Sequence, residues 1–224
     1  MKIVLANINP LYAGLEKDLL EKFGDHISFI SSKAELNLNA LKKINPSYIF
    51  FPHWSDIISK EIYSAFNCVV FHMTDLPYGR GGSPLQNLIV RGHKKTKISA
   101  IKVADGIDAG DIYLKKNLDL SGTASEIFLR AGELMKAMVM EIVEKSPQPQ
   151  KQEGEIVVFK RRKPEDSNVA PLTSLENLYD YIRMLDAEGY PHAFLETEHF
   201  RLEFTKAKIE SKEILNAHVR IIKK

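Results

Sequence analysis

The chain lacks most of the features that mark specialised protein classes. Its only cysteine, Cys68, cannot form an internal disulfide or build a thiolate metal site. Its apolar runs, such as residues 48–51 and 68–71, are far shorter than the roughly 20 residues that cross a bilayer. Met1 leads directly into a strand-like segment without a secretory signal pattern. We therefore expect a cytoplasmic protein with no membrane segment.

The chain also lacks a large excess of charge of one sign, and it lacks nucleotide-binding and zinc-binding motifs. Lys and Arg number 31 against 29 Asp and Glu, a formal net charge of +2, which argues against a dedicated nucleic-acid binder. The first strand is followed by neither a Walker-A pattern nor G-x-G-x-x-G, which weakens the kinase and dehydrogenase interpretations. The seven histidines lack the spacing of a zinc site, so we expect no metal.

What is present is the pattern of an α/β protein. Short apolar runs at residues 2–6, 27–30, 48–51 and 69–72 alternate with amphipathic segments, as in strands joined by crossover helices. Two more strands fit 96–103 and 111–116, and a capping box at Thr123 and Glu126 opens a long helix. The prediction is an open, mostly parallel, Rossmann-like sheet with flanking helices.

The chain changes character after the Pro- and Gln-rich residues 146–155, the best linker candidate. A second capping box, from Thr173 to Glu176, predicts a helix, and alternating residues 192–196, 200–206 and 215–222 predict strands. We expect a catalytic domain over residues 1–165 and a small C-terminal α+β subdomain over 166–224.

Two histidines lie where a parallel sheet places its ligands, beyond the carboxyl ends of its strands. His53 and His72 each follow an apolar run. A loop rich in Gly and Pro at residues 73–84 is built either to approach a ligand or merely to connect elements across the surface. The stretch DGIDAGD at 105–111 would by itself be an ordinary acidic turn.

Taken together, these segments resemble the folate-dependent, methionyl-tRNA formyltransferase-like family. Within that family the chain is most similar to the nucleotide-sugar N-formyltransferases of pseudaminic-acid-type pathways. Family members follow a strand with N-x-H-x-S-x-L-P, a Gly-rich loop with S/A-P, and an acidic turn ending in G-x-D-x-G-D. Here VFHMTDLP at 70–77, RGGSP at 80–84 and GIDAGD at 106–111 match in order and spacing. The resemblance covers about residues 1 to 165 and implies 10-formyltetrahydrofolate as the formyl donor.

The resemblance also assigns residues. It places the catalytic histidine on His72 and the catalytic aspartate on Asp108, and it implies that two segments contact the folate: Trp54, Ser55, Asp56, Ile57 and Ile58, then Ala104, Asp105, Gly106 and Ile107. Residues of the loop after His72 are candidates for substrate binding: Thr74, Arg80, Gly81 and Gly82. Arg80 could make bidentate bonds to phosphate, although a solvated loop arginine is equally compatible with the sequence.

One departure concerns the family's catalytic asparagine, which falls on Val70, a side chain that cannot donate a hydrogen bond. The attacking amine must lose a proton and the developing oxyanion needs donors nearby. His72 and Asp108 can serve the proton transfer. For the missing donor, His53 is the first candidate and Asn87 the second.

The expected acceptor is the 4-amino group of a nucleotide-linked 4-amino-4,6-dideoxy sugar, with UDP or dTDP as the nucleotide, in a pseudaminic-acid-like or other surface-glycan pathway. Residues 159–166 and 182–191 resemble sugar N-formyltransferases, and segment 166–224 looks too short for a tRNA-binding barrel. We accordingly expect no nucleic-acid partner and a monomer or homodimer. The alternatives are a methionyl-tRNA formyltransferase-like enzyme acting on another amine, or a non-catalytic folate or nucleotide-sugar binding module.

Overall fold

The computed structural model describes all 224 residues, Met1–Lys224. Eleven strands and six α-helices follow one another along the chain. The strands are β1 (Ile3–Asn7), β2 (Ile27–Ile30), β3 (Tyr48–His53), β4 (Cys68–His72), β5 (Tyr78–Gly81), β6 (Lys95–Lys102), β7 (Ile112–Asp119), β8 (Val157–Phe159), β9 (Ala193–Glu196), β10 (Phe200–Ile209) and β11 (Leu215–Lys223). The helices are α1 (Ala13–Phe23), α2 (Leu38–Ile44), α3 (Lys60–Ala65), α4 (Pro84–Val90), α5 (Ala124–Lys145) and α6 (Leu175–Arg183).

The main sheet has six strands in the order β2-β1-β3-β4-β6-β7. Strands β1 to β4 run parallel, whereas β6 pairs antiparallel with β4. Nearly every residue of β1 and β3 is buried, as expected for parallel strands covered on both faces. This sheet confirms the predicted α/β fold class, with a mostly parallel sheet and flanking helices.

The capping boxes in the sequence predicted the start of α5 correctly and the start of α6 to within one residue. The predicted capping box of α5 is present, since Glu126 accepts from the Thr123 amide at 2.7 Å and the Thr123 hydroxyl accepts from the Glu126 amide at 3.3 Å. Helix α6 begins one residue later than the second capping box predicts, because the Ser174 hydroxyl caps it by accepting from the Asn177 amide. The loop after His72 also contains a short strand, β5, that pairs with β8 and that the Gly pattern did not predict.

The chain forms two compact units, each built from three separate segments. The first comprises Met1–Gly81, Thr96–Leu118 and Leu129–Val158, and the second comprises Gly82–Lys95, Asp119–Phe128 and Phe159–Lys224. The sequence-based boundary between residues 165 and 166 stays a prediction.

The second unit contains the expected C-terminal α+β elements. Strands β9, β10 and β11 form an antiparallel sheet, and α6 contacts β10. The buried guanidinium of Arg183 donates to Asp180 at 2.6 Å and to the carbonyl oxygens of Leu120 and Gly122 at 2.6 and 2.9 Å. These bonds compensate the burial of a charge and fix the end of α6.

None of the helices combines the length and the apolar character needed to cross a bilayer.

We predict that Gly110 cannot be replaced without loss of stability. A Cβ atom at this position would lie 1.7 Å from the carbonyl oxygen of Lys102, a backbone atom that cannot move aside easily. Gly110→Ala should lower the free energy of unfolding by about 3 kcal/mol, as overpacked sites do. The matched control Gly14→Ala, in α1 with open space around the new methyl group, should raise it by about 0.5 kcal/mol. Urea unfolding of both variants tests this, and equal effects would contradict it.

Candidate functional site

The two predicted histidines lie at the carboxyl ends of neighbouring parallel strands. Strands β3 and β4 pair through Phe51 and Val70, and His53 and His72 each follow two residues later. His53 remains half-buried and packs its ring against Tyr12, with centroids 5.9 Å apart. His72 is 8% exposed. The topology therefore brings the two imidazoles to the same edge of the sheet, where α/β proteins bind ligands.

The ring of His72 is held between two oxygen atoms. Its Nε2 lies 2.7 Å from the carbonyl oxygen of Gly79, which also accepts from the Thr74 hydroxyl at 3.3 Å. Because a carbonyl oxygen can only accept, Nε2 must carry the proton of the neutral ring. The other nitrogen, Nδ1, lies 3.4 Å from Oδ2 of Asp108. Asp108 therefore faces the ring nitrogen that does not bond to Gly79.

The carboxylate of Asp108 is itself fixed by the loop after His72. The backbone N–H of Gly81, at the end of β5, donates to Oδ2 of Asp108 at 2.8 Å. Asp108 adopts a left-handed backbone with φ of 49°. Such a conformation is costly for a residue with a Cβ atom and persists only where surrounding contacts hold it. The structure thus joins three residues of the predicted site: His72, Asp108 and Gly81.

The two segments predicted to contact folate present apolar side chains to solvent. Ile57 is 96% exposed and Ile107 is 75% exposed. Asp105, between Ala104 and Gly106, accepts from the Tyr63 hydroxyl at 2.8 Å, and this bond raises the pKa of the Tyr63 phenol. Lys60 lies 3.8 Å from the same carboxylate. The loop that carries Ile107 is therefore tied to helix α3.

Trp54 supplies a donor that the protein leaves unpaired. Its indole packs edge-on against Phe51, with centroids 5.6 Å apart, and its buried Nε1 has no acceptor. Asp56 pairs with Lys33 at 2.9 Å, Ile58 is buried, and Ser55 is exposed. The exposed side chains of Ile57 and Ile107 suit the flat faces of a pterin ring, the ligand that the family resemblance implies.

The position of the family's asparagine is apolar in this chain. Val70 packs against the buried cluster of Phe51, Ile62 and their neighbours and offers no donor. Asn87, the second candidate for the missing donor, lies in the other unit. Its amide already donates to the carbonyl oxygens of Gly82, Ser83 and Lys160, so it is committed to local structure.

The remaining substrate-binding candidates have structural partners. Thr74 is fully buried and bonds to Gly79, and its carbonyl oxygen accepts from the Ser99 hydroxyl at 2.8 Å. Arg80 donates to the side-chain oxygen of Gln152 through Nε and Nη2, at 3.1 and 2.8 Å. In the second unit, a Cβ atom on Gly82 would lie 2.5 Å from Cβ of Arg161, so close approach of backbone requires a glycine there.

Gln152 is the residue of this region that sequence reasoning missed. It lies in the stretch interpreted as a linker, and nothing in its neighbourhood resembles a motif. Its side chain nevertheless contacts both Arg80 and the backbone around Asp108. An antiparallel contact between Ile112 and Gln150 brings it there. That long-range pairing leaves no signal in a single sequence.

Comparison with known proteins gives two family matches in chain order. The model of the formyl transferase family matches residues 26–140, and the model described as the methionyl-tRNA formyltransferase C-terminal domain matches residues 164–222. A methionyl-tRNA formyltransferase structure from Clostridium thermocellum is 53% identical, with a TM-score of 0.96 and full coverage of both chains. A curated methionyl-tRNA formyltransferase from Clostridium botulinum is 29% identical over 83% of this chain, which spans 62% of that relative's length.

Sugar N-formyltransferases are far more distant. One from a Shewanella species is 15% identical, with a TM-score of 0.66, over 88% of this chain and 93% of its own. At that identity the likeness shows a common fold and nothing about the acceptor.

The expectation of a nucleotide-linked amino-sugar acceptor is therefore wrong, as is the expectation of no nucleic-acid partner. The relatives at 53% and 29% identity are methionyl-tRNA formyltransferases. The error came from length, because segment 166–224 looked too short for a tRNA-binding domain. Residues 164–222 nonetheless match the C-terminal domain of those enzymes. The similarity of residues 159–166 and 182–191 to sugar-modifying enzymes did not identify the acceptor.

We predict a pH-dependent stabilisation by Asp75, three residues after His72. Burial raises the pKa of this carboxyl. The ammonium groups of Lys115 and Lys97, 2.5 and 2.9 Å from its oxygen atoms, lower the pKa by a larger amount, so the pKa lies below its usual value. A carboxyl whose pKa is lowered by folding stabilises the protein above its unfolded pKa of about 3.9, and the effect is lost as the pH falls through the folded value.

Asp75→Asn should therefore lower the free energy of unfolding at pH 7 by up to about 1 kcal/mol, since the pair is partly exposed. The difference from wild type should shrink at pH 3. Urea unfolding at both pH values measures it, with the exposed Glu144→Gln as control. A difference of the same size at both pH values would refute the assignment.

Proposed function

Because the chain belongs to the formyl transferase family, we propose that it transfers a formyl group from 10-formyltetrahydrofolate to the α-amino group of methionyl-tRNA. The main structural support for this reaction is the pairing of His72 with Asp108 at the carboxyl edge of the sheet. The acceptor rests on the relatives named above and on the order of the two family matches.

In this proposal the side chains of His72 and Asp108 accept the proton of the amine and pass it on. 10-Formyltetrahydrofolate, when bound, supplies a formyl group on its N10 nitrogen. A C–N bond forms between the amine and the formyl carbon as the bond to N10 breaks, and the proton lost by the amine ends on N10. We assign the transit of that proton to Nδ1 of His72, the ring nitrogen that carries no proton when Nε2 donates to Gly79 and that lies 3.4 Å from Oδ2 of Asp108.

Negative charge that develops on the formyl oxygen needs a donor other than Val70. We assign this donation to His53, which lies at the end of the neighbouring strand. A donor aimed at developing charge in a site that excludes water contributes more to the rate than the same bond in water.

The second unit carries exposed cations that suit an RNA acceptor. Lys160, Arg161 and Lys163 are exposed and form no ion pair. Unpaired cations of this kind can neutralise the phosphates of an RNA backbone, which gives affinity without sequence preference.

His72→Ala and Asp108→Asn should each lower kcat at least about 100-fold, the usual contribution of general acid–base catalysis. Melting temperatures should stay close to wild type. The control is His26→Ala, because His26 is exposed and lies in a surface turn. The measurement is the rate of tetrahydrofolate release with saturating acceptor. Near-normal turnover in either variant would exclude the assigned pair.

The acceptor is tested by offering the protein 10-formyltetrahydrofolate with methionyl-tRNA, free methionine, uncharged tRNA and a nucleotide-linked 4-amino sugar. We expect a mass gain of one formyl group on the methionine of methionyl-tRNA and no gain on the other three. Formylation of free methionine at the same rate would contradict a role for the tRNA. Formylation of the sugar alone would contradict methionyl-tRNA as the acceptor but would still support formyl transfer as the reaction.

A further inference from the structure

We propose that Gln152 is a positioning residue that holds Asp108 in register with His72. The inference rests on the proposed function, because it concerns the carboxylate assigned to the proton transfer. All the contacts that carry it lie within the first compact unit.

Backbone pairing places Gln152 beside the acidic turn. Ile112 and Gln150 form an antiparallel bridge with N–H···O distances of 2.7 and 2.9 Å. In an antiparallel pair each step forward on one chain matches a step back on the other, so Gln152 lies opposite Gly110. The segment after α5 therefore runs along the turn that contains Asp108.

Every hydrogen-bonding position of the Gln152 amide is used. Its Nε2 donates to the carbonyl oxygens of Asp108 and Gly110, both at 2.7 Å. Its Oε1 accepts from Nε and Nη2 of Arg80, at 3.1 and 2.8 Å. A primary amide offers two N–H donors and an oxygen with two lone pairs, so the group is saturated. A carboxylate could accept from Arg80 but could not donate to the turn.

These bonds join the two segments that meet at the catalytic carboxylate. Arg80 precedes Gly81, whose amide holds Oδ2 of Asp108 at 2.8 Å. Gln152 holds the main-chain carbonyl of the same aspartate. Asp108 is therefore fixed at its side chain and at its backbone, which explains how a non-glycine residue keeps a φ of 49°. Without Gln152 the carboxylate would lose its fixed distance from Nδ1 of His72.

The first test measures the position of the carboxylate without any turnover. Because the Gly81 amide donates to Asp108, its hydrogen exchange followed by NMR reports whether that carboxylate stays in place. Gln152→Leu should speed exchange at Gly81 at least 10-fold. The control Gln148→Leu changes an exposed glutamine of the same segment and should leave the rate unchanged. Unchanged exchange in Gln152→Leu would overturn the proposal.

The second test asks whether the effect reaches catalysis through Asp108. Gln152→Leu should lower kcat about 10-fold, because a misplaced catalytic group costs rate. The KM for the folate should stay within twofold. In the Asp108→Asn background the same change should cost less than twofold, because the carboxylate is already absent. Full additivity of the two losses would overturn the proposal, since it would show a general structural effect.

Arg80→Lys provides a second variant should Gln152→Leu fold poorly. Lysine keeps the charge but cannot donate through two fixed N–H groups, so Gly81 exchange should rise severalfold. Exchange equal to wild type in Arg80→Lys would count against the proposal. If wild-type protein formylates none of the acceptors, the proposed function fails, whereas the exchange experiment still decides whether Gln152 positions Asp108.

Discussion

The candidate site depends on how one imidazole ring is held. The carbonyl oxygen of Gly79 lies 2.7 Å from Nε2 of His72 and assigns the ring proton to that nitrogen. The lone pair of Nδ1 is thereby directed at Asp108. A ring free to carry its proton on either nitrogen would spend part of its time unable to accept a proton at Nδ1. The backbone of the loop after β4 therefore determines what the side chain can do.

The same loop also fixes the position of the Asp108 carboxylate. Strand β5 begins at Tyr78 and ends at Gly81, so a few residues present both a carbonyl to His72 and an amide to Asp108. The acidic turn packs on the end of β6, because Gly110 approaches the backbone of Lys102 so closely that a side chain would not fit. Gln152 then joins the turn to Arg80. Backbone groups account for most of these contacts, which makes the arrangement sensitive to main-chain shifts and tolerant of many side-chain changes elsewhere.

The sequence was informative where physical signals are local. Continuous apolar runs indicated the parallel strands, and the resemblance to the formyltransferase motifs assigned His72 and Asp108, which the structure brings within 3.4 Å. Contacts between distant segments carried no such signal. Strand β5 needs β8 as its partner, and Gln152 needs the pairing of Ile112 with Gln150. The acceptor could not be inferred from segment length, because the size of a terminal domain does not determine what it binds.

The most direct test of this account is a long-range ¹H–¹⁵N NMR spectrum of the His72 ring at a pH where the ring is neutral. We expect a protonated Nε2 bonded to the Gly79 carbonyl and an unprotonated Nδ1. Asp108→Asn should perturb the Nδ1 resonance more than that of Nε2. A neutral ring protonated on Nδ1 would contradict the account, because the atom assigned to accept the proton of the amine would already carry one.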